Sequence, residues 1–303
     1  STSYSGNAGR GGDISLATPN GDIINSNSFL YSFALAQDSS QRSGDGGAVS
    51  LTAKNLINNL EIFTQTSTGT AGTVTMLGTG DLTLSHLQIS TSQAVTVPIQ
   101  GQLITFNPEQ IGESGDVIII GENNLTFDAN LINSNTSGTG DAGNILIVSP
   151  GVVSFRNGTQ LLSNTTATGN AGTITVNGGQ EITLTGNSQI TAQTSGQGTA
   201  GDIILNTPNL IVAGDAQILA ETSDRGAGGT ITINAPGAVS FTRILDASPV
   251  LSVEARGAGQ AGNILINTPT LTLSDQARIT ATATATATNP QGGGSITLNA
   301  SDL

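Results

Sequence analysis

The chain of 303 residues contains no cysteine and no tryptophan, and only one methionine and one histidine. Without cysteine there is no disulfide and no thiolate-bound zinc, and a single His86 cannot by itself assemble a transition-metal site. A lone histidine also makes no catalytic triad without a nucleophile and an orienting acid beside it. His86 and Lys54 are read as solvated surface residues. Charge is scarce too: 10% of residues are charged, against about 25% in an ordinary globule. What charge there is leans one way. Twenty-one acidic residues face eight basic ones, for a net −13. That balance excludes nucleic acid as a partner, because displacing counterions needs a basic face. It also disfavours docking on anionic lipid. No apolar run approaches the ~18 residues of a membrane-crossing helix, so no membrane insertion is expected. No basic stretch followed by an apolar one marks a signal peptide.

Glycine is what the chain has in quantity, with 40 residues, and ten of them open a recurring phrase. The phrase is Gly, a small or polar residue, a β-branched residue, any residue, then an aliphatic one. Its glycines are Gly12, Gly47, Gly72, Gly115, Gly143, Gly172, Gly201, Gly229, Gly262 and Gly294. In the middle of the chain they recur every 28–29 residues. Two places after each glycine stands Ile or Val, from Ile14 to Ile296; two further on stands Leu, Ile, Val or Met. This period-2 alternation describes a half-buried strand.

A second strand follows a turn, with inward pairs such as Leu125/Phe127, Val153/Phe155, Ile182/Leu184 and Val239/Phe241. The residues between them, such as Thr126, Ser154 and Thr183, point outward. A third strand supplies Ile62, Ile89, Leu131, Leu161, Ile190, Ile218, Leu251 and Ile279 as inward residues. Two places later its inward position turns small or polar: Thr64, Thr91, Asn133, Ser163, Ala192, Ala220, Val253 and Ala281. Three strands per repeat and like residues at like places predict an all-β fold, a three-faced right-handed parallel β-helix (a β-solenoid) of about ten coils. At about 4.8 Å per coil the rod is on the order of 45–50 Å long. A hairpin-built sandwich would not demand the same residue class every repeat.

The whole chain, 1–303, reads as one β-helix domain, expected to be part of a longer array. It begins and ends inside coils without a cap, which suggests either an excerpt of that array or subunits that associate end to end. Insertions are expected at 28–42, 93–113 and 242–250. The second is read as an extra strand pair, and the alternating Thr and Ala of 280–288 as a lengthened third strand. The first insertion holds Phe29, Tyr31 and Phe33, which either fold back over the flank or form a docking site; they are the candidate interaction residues.

The phrases "AGNILINTPTLTLSDQARITA" (261–281), "AGDIILNTPNLIVAGDAQILAETS" (200–223) and "AGTITVNGGQEITLTGNSQITAQTS" (171–195) resemble repeats of filamentous-haemagglutinin-type exoproteins, most nearly the large cyanobacterial ones. The resemblance covers nearly the whole chain. It implies two-partner secretion of the full-length protein through an outer-membrane transporter. It also implies extracellular or cell-surface display and a structural or adhesive role toward glycans or cell surfaces. The amino-terminal secretion domain of that family is not evident in this sequence.

Many β-helices cleave polysaccharides, and a hydrolase needs two or three carboxylates converging on one face. Carboxylates scatter over corners. The best column, Asp215, Asp246 and Asp275 with Arg243 nearby, reads as turn-forming aspartates. Three carboxylates converging on a concave face beside 93–113 would mark a carbohydrate-active enzyme, the alternative reading. The loops "GTGDAGN" (138–144) and "SGDGGA" (43–48) only faintly resemble calcium-binding nonapeptides, whose period is nine residues. Thr pairs on the first face (Thr73/Thr75, Thr173/Thr175, Thr230/Thr232) are interrupted by Asp, Asn and aliphatic residues, against an ice-binding plane. The expectation is no catalytic residue, no cofactor and no metal. The glycines of the two loops 138–144 and 43–48 are read as supplying the positive φ of tight corners.

Overall fold

The computed structural model describes residues 9–25, 27–34, 43–57, 59–66, 68–91, 96–99, 102–105, 112–243, 248–284 and 292–301. It contains no helix among them. Three parallel sheets form the faces of a β-solenoid. The first sheet has ten strands, from Ile14–Ile24 to Ile296–Asn299; the second has seven, from Leu82–Ser85 to Thr270–Ser274; the third has nine, from Ser28–Tyr31 to Ile279–Thr280. The solenoid makes about eight turns, slightly fewer than the ten that the glycine phrases suggest. All ten phrases do form rungs of the first sheet, but among the described residues only seven coils carry a strand on the second. In the first two coils the opening strand is long instead, Ile14–Ile24 and Val49–Ile57. These two pair with each other across an irregularity between Thr18 and Asp22.

The aliphatic column behind the phrase runs unbroken. Ile14, Val49, Val74, Val117, Ile145, Ile174, Ile203, Ile231, Ile264 and Ile296 are successive register partners. From Val49 to Ile264 all of them are buried. The second sheet contributes a matching column in which Phe127 stacks on Phe155, ring centroids 4.9 Å apart. Removing these columns from water is the main stabilising term, at about 25 cal/mol per Å² of apolar surface. Equal residues on successive rungs also let the side chains interdigitate without voids.

On the third face one rung differs from the sequence reading. Leu131 pairs with Gln88 and faces outward, whereas Ile132 pairs with Ile89 and is fully buried. The small inward residue of that coil is accordingly Ser134, not Asn133. A one-residue slip exchanges the two faces of a strand, and adjacent Leu131 and Ile132 leave the parity ambiguous. The corner before Ile132 is one residue shorter than the corner before Leu161. There Asn130 is buried; its side chain accepts from the Leu87 amide at 2.8 Å and donates to the Leu84 carbonyl at 2.9 Å.

The small inward residues close each coil. The Gly115, Gly143, Gly201 and Gly229 amides donate to the carbonyls of Thr91, Ser134, Ala192 and Ala220 at 2.9–3.1 Å. Where the residue is Ser or Thr, the hydroxyl reaches the same corner. Ser163 donates to the Gly143 carbonyl at 2.6 Å and accepts from the Gly172 amide at 3.0 Å. The phrase glycines are therefore required for close backbone approach, not for positive φ. A Cβ on Gly143 or Gly201 would lie 2.1 or 2.0 Å from the glycine carbonyl oxygen one coil below. Left-handed backbone gathers instead at the corner between second and third strands, at His86, Ala129, Asn157, Gly158, Gly186, Gly214, Asp275 and Gln276.

Of the expected insertions, 93–113 contains an antiparallel hairpin, Thr96–Ile99 with Gln102–Thr105, separate from the three faces. Residues 28–34 are not inserted: Ser28–Tyr31 is a regular third-face strand paired with Leu60–Phe63, and Ala34 bridges Thr66. The rest of that segment, 35–42, and the centre of the third, 244–247, lie outside the described residues. Within its described residues, 280–284, the Thr/Ala run does not extend its strand. Pairing ends at Thr280, Ala283 bridges Ala255 as its counterparts do in other coils, and 285–290 lie outside the described residues.

Outward polar residues bind rung to rung. Asn177, Asn206, Asn234, Asn267 and Asn299 form a ladder in which each amide nitrogen donates to the preceding side-chain oxygen at 2.7–2.8 Å. Each link adds a net ~1 kcal/mol. Replacing Asn234 by Ala removes two links at a half-buried site and should cost about 1–2 kcal/mol, read from a chemical denaturation curve. The same change at exposed Asn299, which has one link, should cost less than half as much.

Candidate functional site

Two of the three aspartates singled out in the sequence are described. Asp215 is half-buried and one of its carboxylate oxygens is buried without a hydrogen bond; Asp275 is exposed with φ 53° at the left-handed corner; Asp246 lies outside the described residues. Arg243 does not lie at the surface. It is 3% exposed and donates toward the Ala216 carbonyl. His86 and Lys54 are both exposed. In the two glycine-rich loops the carboxylates bind protein: Asp141 accepts from the Asn170 amide at 2.7 Å and Asp45 from the Thr70 amide at 2.9 Å. No cluster of three or more metal-ligating side chains occurs among the described residues.

Phe29, Tyr31 and Phe33 do come together, on the outer side of the third face at the amino-terminal coils. Tyr31 stacks on Phe33 with centroids 5.2 Å apart, and Phe29 leans on Tyr31 at 5.6 Å. Period-2 geometry puts the three on one side of their strand. Phe63, on the next rung and in register with Tyr31, completes the group edge-on at 5.3 Å. Exposure falls along the group from 52% at Phe29 to 5% at Phe33. Burial raises the Tyr31 phenol above its ordinary range, and the Glu61 carboxylate adds to the rise. Phe63 was findable: it holds the outer place of the strand LEIF, one coil on.

A second group went unnoticed in the sequence. Thr136, Thr165, Thr194, Thr222 and Ala255 bridge in a column just past the third strands. The residues preceding the last three are Gln193, Glu221 and Glu254, which the same register stacks. Glu221 is 5% exposed. Its carboxylate accepts from Gln193 Nε2 at 3.2 Å and from the Ser252 hydroxyl, and pairs with Arg256 at 3.0 Å. Arg256 lies 3.6 Å from Glu254 as well. Burial pushes the Glu221 carboxyl above the usual glutamate range; Ser252, Arg256 and Gln193 pull it back, while Glu254 adds to the rise. Gln193, Glu221 and Arg256 border an open cleft of about 190 Å³, lined also by Thr165, Thr194, Ser195, Thr222 and Ser223.

A raised carboxyl favours folding most in acid, and that advantage fades as pH rises from the unfolded-state pKa through the folded one. Glu221→Gln removes this dependence. Its stability relative to the natural chain should therefore improve from acid to neutral pH, as thermal melts across that range would show.

The chain was compared with protein-family models, with curated proteins and with solved structures, and nothing matched in any of the three.

Proposed function

We propose that this chain is a non-catalytic, structural and adhesive β-helix segment of an extracellular or surface-displayed protein. The observation that carries the proposal is the uninterrupted rod of ten parallel first-face rungs. Such a rod grows by adding coils and presents the same side-chain places again and again on its outside. A surface of that kind suits repeated weak contacts, which multivalency amplifies. The acidic balance keeps rods apart in solution. The resemblance of the repeats to haemagglutinin-type exoproteins supports the same reading and implies an outer-membrane transporter as partner of the full-length protein; glycans or cell surfaces are the expected targets. The test is display of residues 1–303 on a non-adherent bacterium, followed by counting attachment to glycan-coated and bare surfaces. Attachment above that of cells displaying an unrelated soluble domain is expected; equal attachment contradicts the adhesive role.

A carbohydrate-active enzyme is the second reading, favoured by one observation: buried Glu221 with a raised carboxyl and Glu254 beyond the same arginine. Against it, Arg256 binds both carboxylates. Release of reducing ends from a neutral polysaccharide, abolished by Glu221→Gln, would decide for catalysis.

A further inference from the structure

We infer that the cleft at Glu221 is a binding subsite for one neutral sugar unit of a glycan. The inference rests on the adhesive reading and gives it a place on the rod.

The first observation is an unmatched hydroxyl. Along the threonine column each side chain normally accepts from an amide two residues on: Thr136 from Gly138 at 3.3 Å, Thr165 from Ala167 at 3.5 Å and Thr194 from Gly196 at 3.2 Å. Thr222 breaks the pattern. It is 1% exposed, lines the cleft, and its Oγ1 has no hydrogen-bond partner. An unsatisfied buried hydroxyl costs roughly 1–3 kcal/mol. A ligand hydroxyl in the cleft would remove that cost once the Thr222 side chain turns its Oγ1 toward it.

The second observation is the chemistry of the lining. Gln193, Glu221 and Arg256 place an amide, a carboxylate and a guanidinium beside the threonine hydroxyls, so the lining holds both donors and acceptors. Vicinal hydroxyls, each both donor and acceptor, match such a lining; an alkyl chain or a steroid does not. Size limits the occupant as well. Sites for drug-sized molecules run about 300–1,000 Å³, and this cleft of about 190 Å³ takes a single ring. Charge decides the last point. Glu221 and Glu254 share one arginine, on a chain of net −13, so the surroundings repel a uronate or another anionic sugar.

The site is built from four successive coils: Thr165 from the first, Gln193 from the next, Glu221 and Thr222 from the third, Arg256 from the fourth. It exists only in the folded stack.

The test is saturation-transfer NMR of the intact 303-residue chain. The probes are cellohexaose, mannohexaose and galactohexaose, with hexagalacturonate as the charged probe. Transfer to at least one neutral oligosaccharide, and at least fivefold less to hexagalacturonate, is expected. Thr222→Val and Arg256→Ala should each lower the neutral signal at least fivefold. Thr222→Val should melt no lower than the natural chain, since it deletes an unpartnered hydroxyl, and this separates lost binding from lost fold. Three results would overturn the inference: no transfer to any neutral probe, equal transfer to hexagalacturonate, or neutral binding that both variants retain. In the last case sugar binds elsewhere, and the adhesive reading stands without this subsite.

Discussion

Replacing Ile174 by Asp should cost at least about 4–5 kcal/mol and melt the middle of the rod first. Ile174 is fully buried, with Ile145 below it and Ile203 above it in one column. The aspartate would have no cation and no donor there, only aliphatic side chains. A carboxylate so placed is either protonated or draws water into the core, and each route costs several kcal/mol. Because coils contact only their neighbours, damage at one rung weakens both adjoining interfaces. Hydrogen exchange should therefore show lost protection centred on the strands Ile145–Ser149, Ile174–Gly178 and Ile203–Asn206, with less change toward the ends. The control is Thr183→Asp. Thr183 is half-buried on the outer side of the second face, where its hydroxyl binds Ser154 at 3.0 Å. Losing that bond should cost no more than about 1 kcal/mol. Similar melting temperatures for the two variants would mean that the Ile174 column is not the core.

Gly201→Ala should cost far more than one added methyl group at an open turn. The new Cβ would sit 2.0 Å from the Gly172 carbonyl oxygen and 2.8 Å from its carbon. Both are backbone atoms of the coil below, so no flexible side chain can yield. Relief would need the coils to separate, at the place where the Gly201 amide closes its own turn onto Ala192 at 2.9 Å. A cost of about 3 kcal/mol is expected. Gly158 provides the contrast. It has φ 78° and nothing within 4 Å of an added Cβ, so its alanine variant meets backbone strain alone, about 1–2 kcal/mol. Denaturant midpoints of the two variants give the ranking. Equal costs would show that the phrase glycines serve conformation, not approach.

These two positions also show what could be read from the residues alone. Ile174 announced itself because its class recurs in every phrase and alternates with small or polar neighbours. Period and alternation are local properties, and they were enough for the three parallel faces and the inward columns. The purpose of Gly201 was not local: the atom that forbids a side chain belongs to another coil. Leu131 and Ile132 failed for a simpler reason, since two adjacent aliphatics carry no parity until pairing with Gln88 and Ile89 sets it.

The asparagine ladder was visible as a repeated final Asn in ITVN, IILN, ITIN, ILIN and ITLN, but its amide-to-amide bonds follow only once the coils are stacked. The cleft is the extreme case. Gln193, Glu221, Ser252 and Arg256 come from three coils and share no motif. Nothing in their spacing says that a carboxylate is buried until register brings them together. The aromatic group lies between these cases: Phe29, Tyr31 and Phe33 are readable as one strand side, while Phe63 joins them through register.

The central claim is that equivalent residues climb one axis in equal steps. Thr83, Thr126, Ser154, Thr183, Ile211, Ser240 and Thr272 are register partners on the outer second face. The chain has no cysteine, so pairs can be introduced and spin-labelled cleanly. Dipolar distances from position 83 to positions 211, 240 and 272 should read roughly 19, 24 and 29 Å, rising by about 4.8 Å per coil. Distances that do not rise in order, or that shorten as the labels move apart in sequence, would contradict the stacked parallel solenoid.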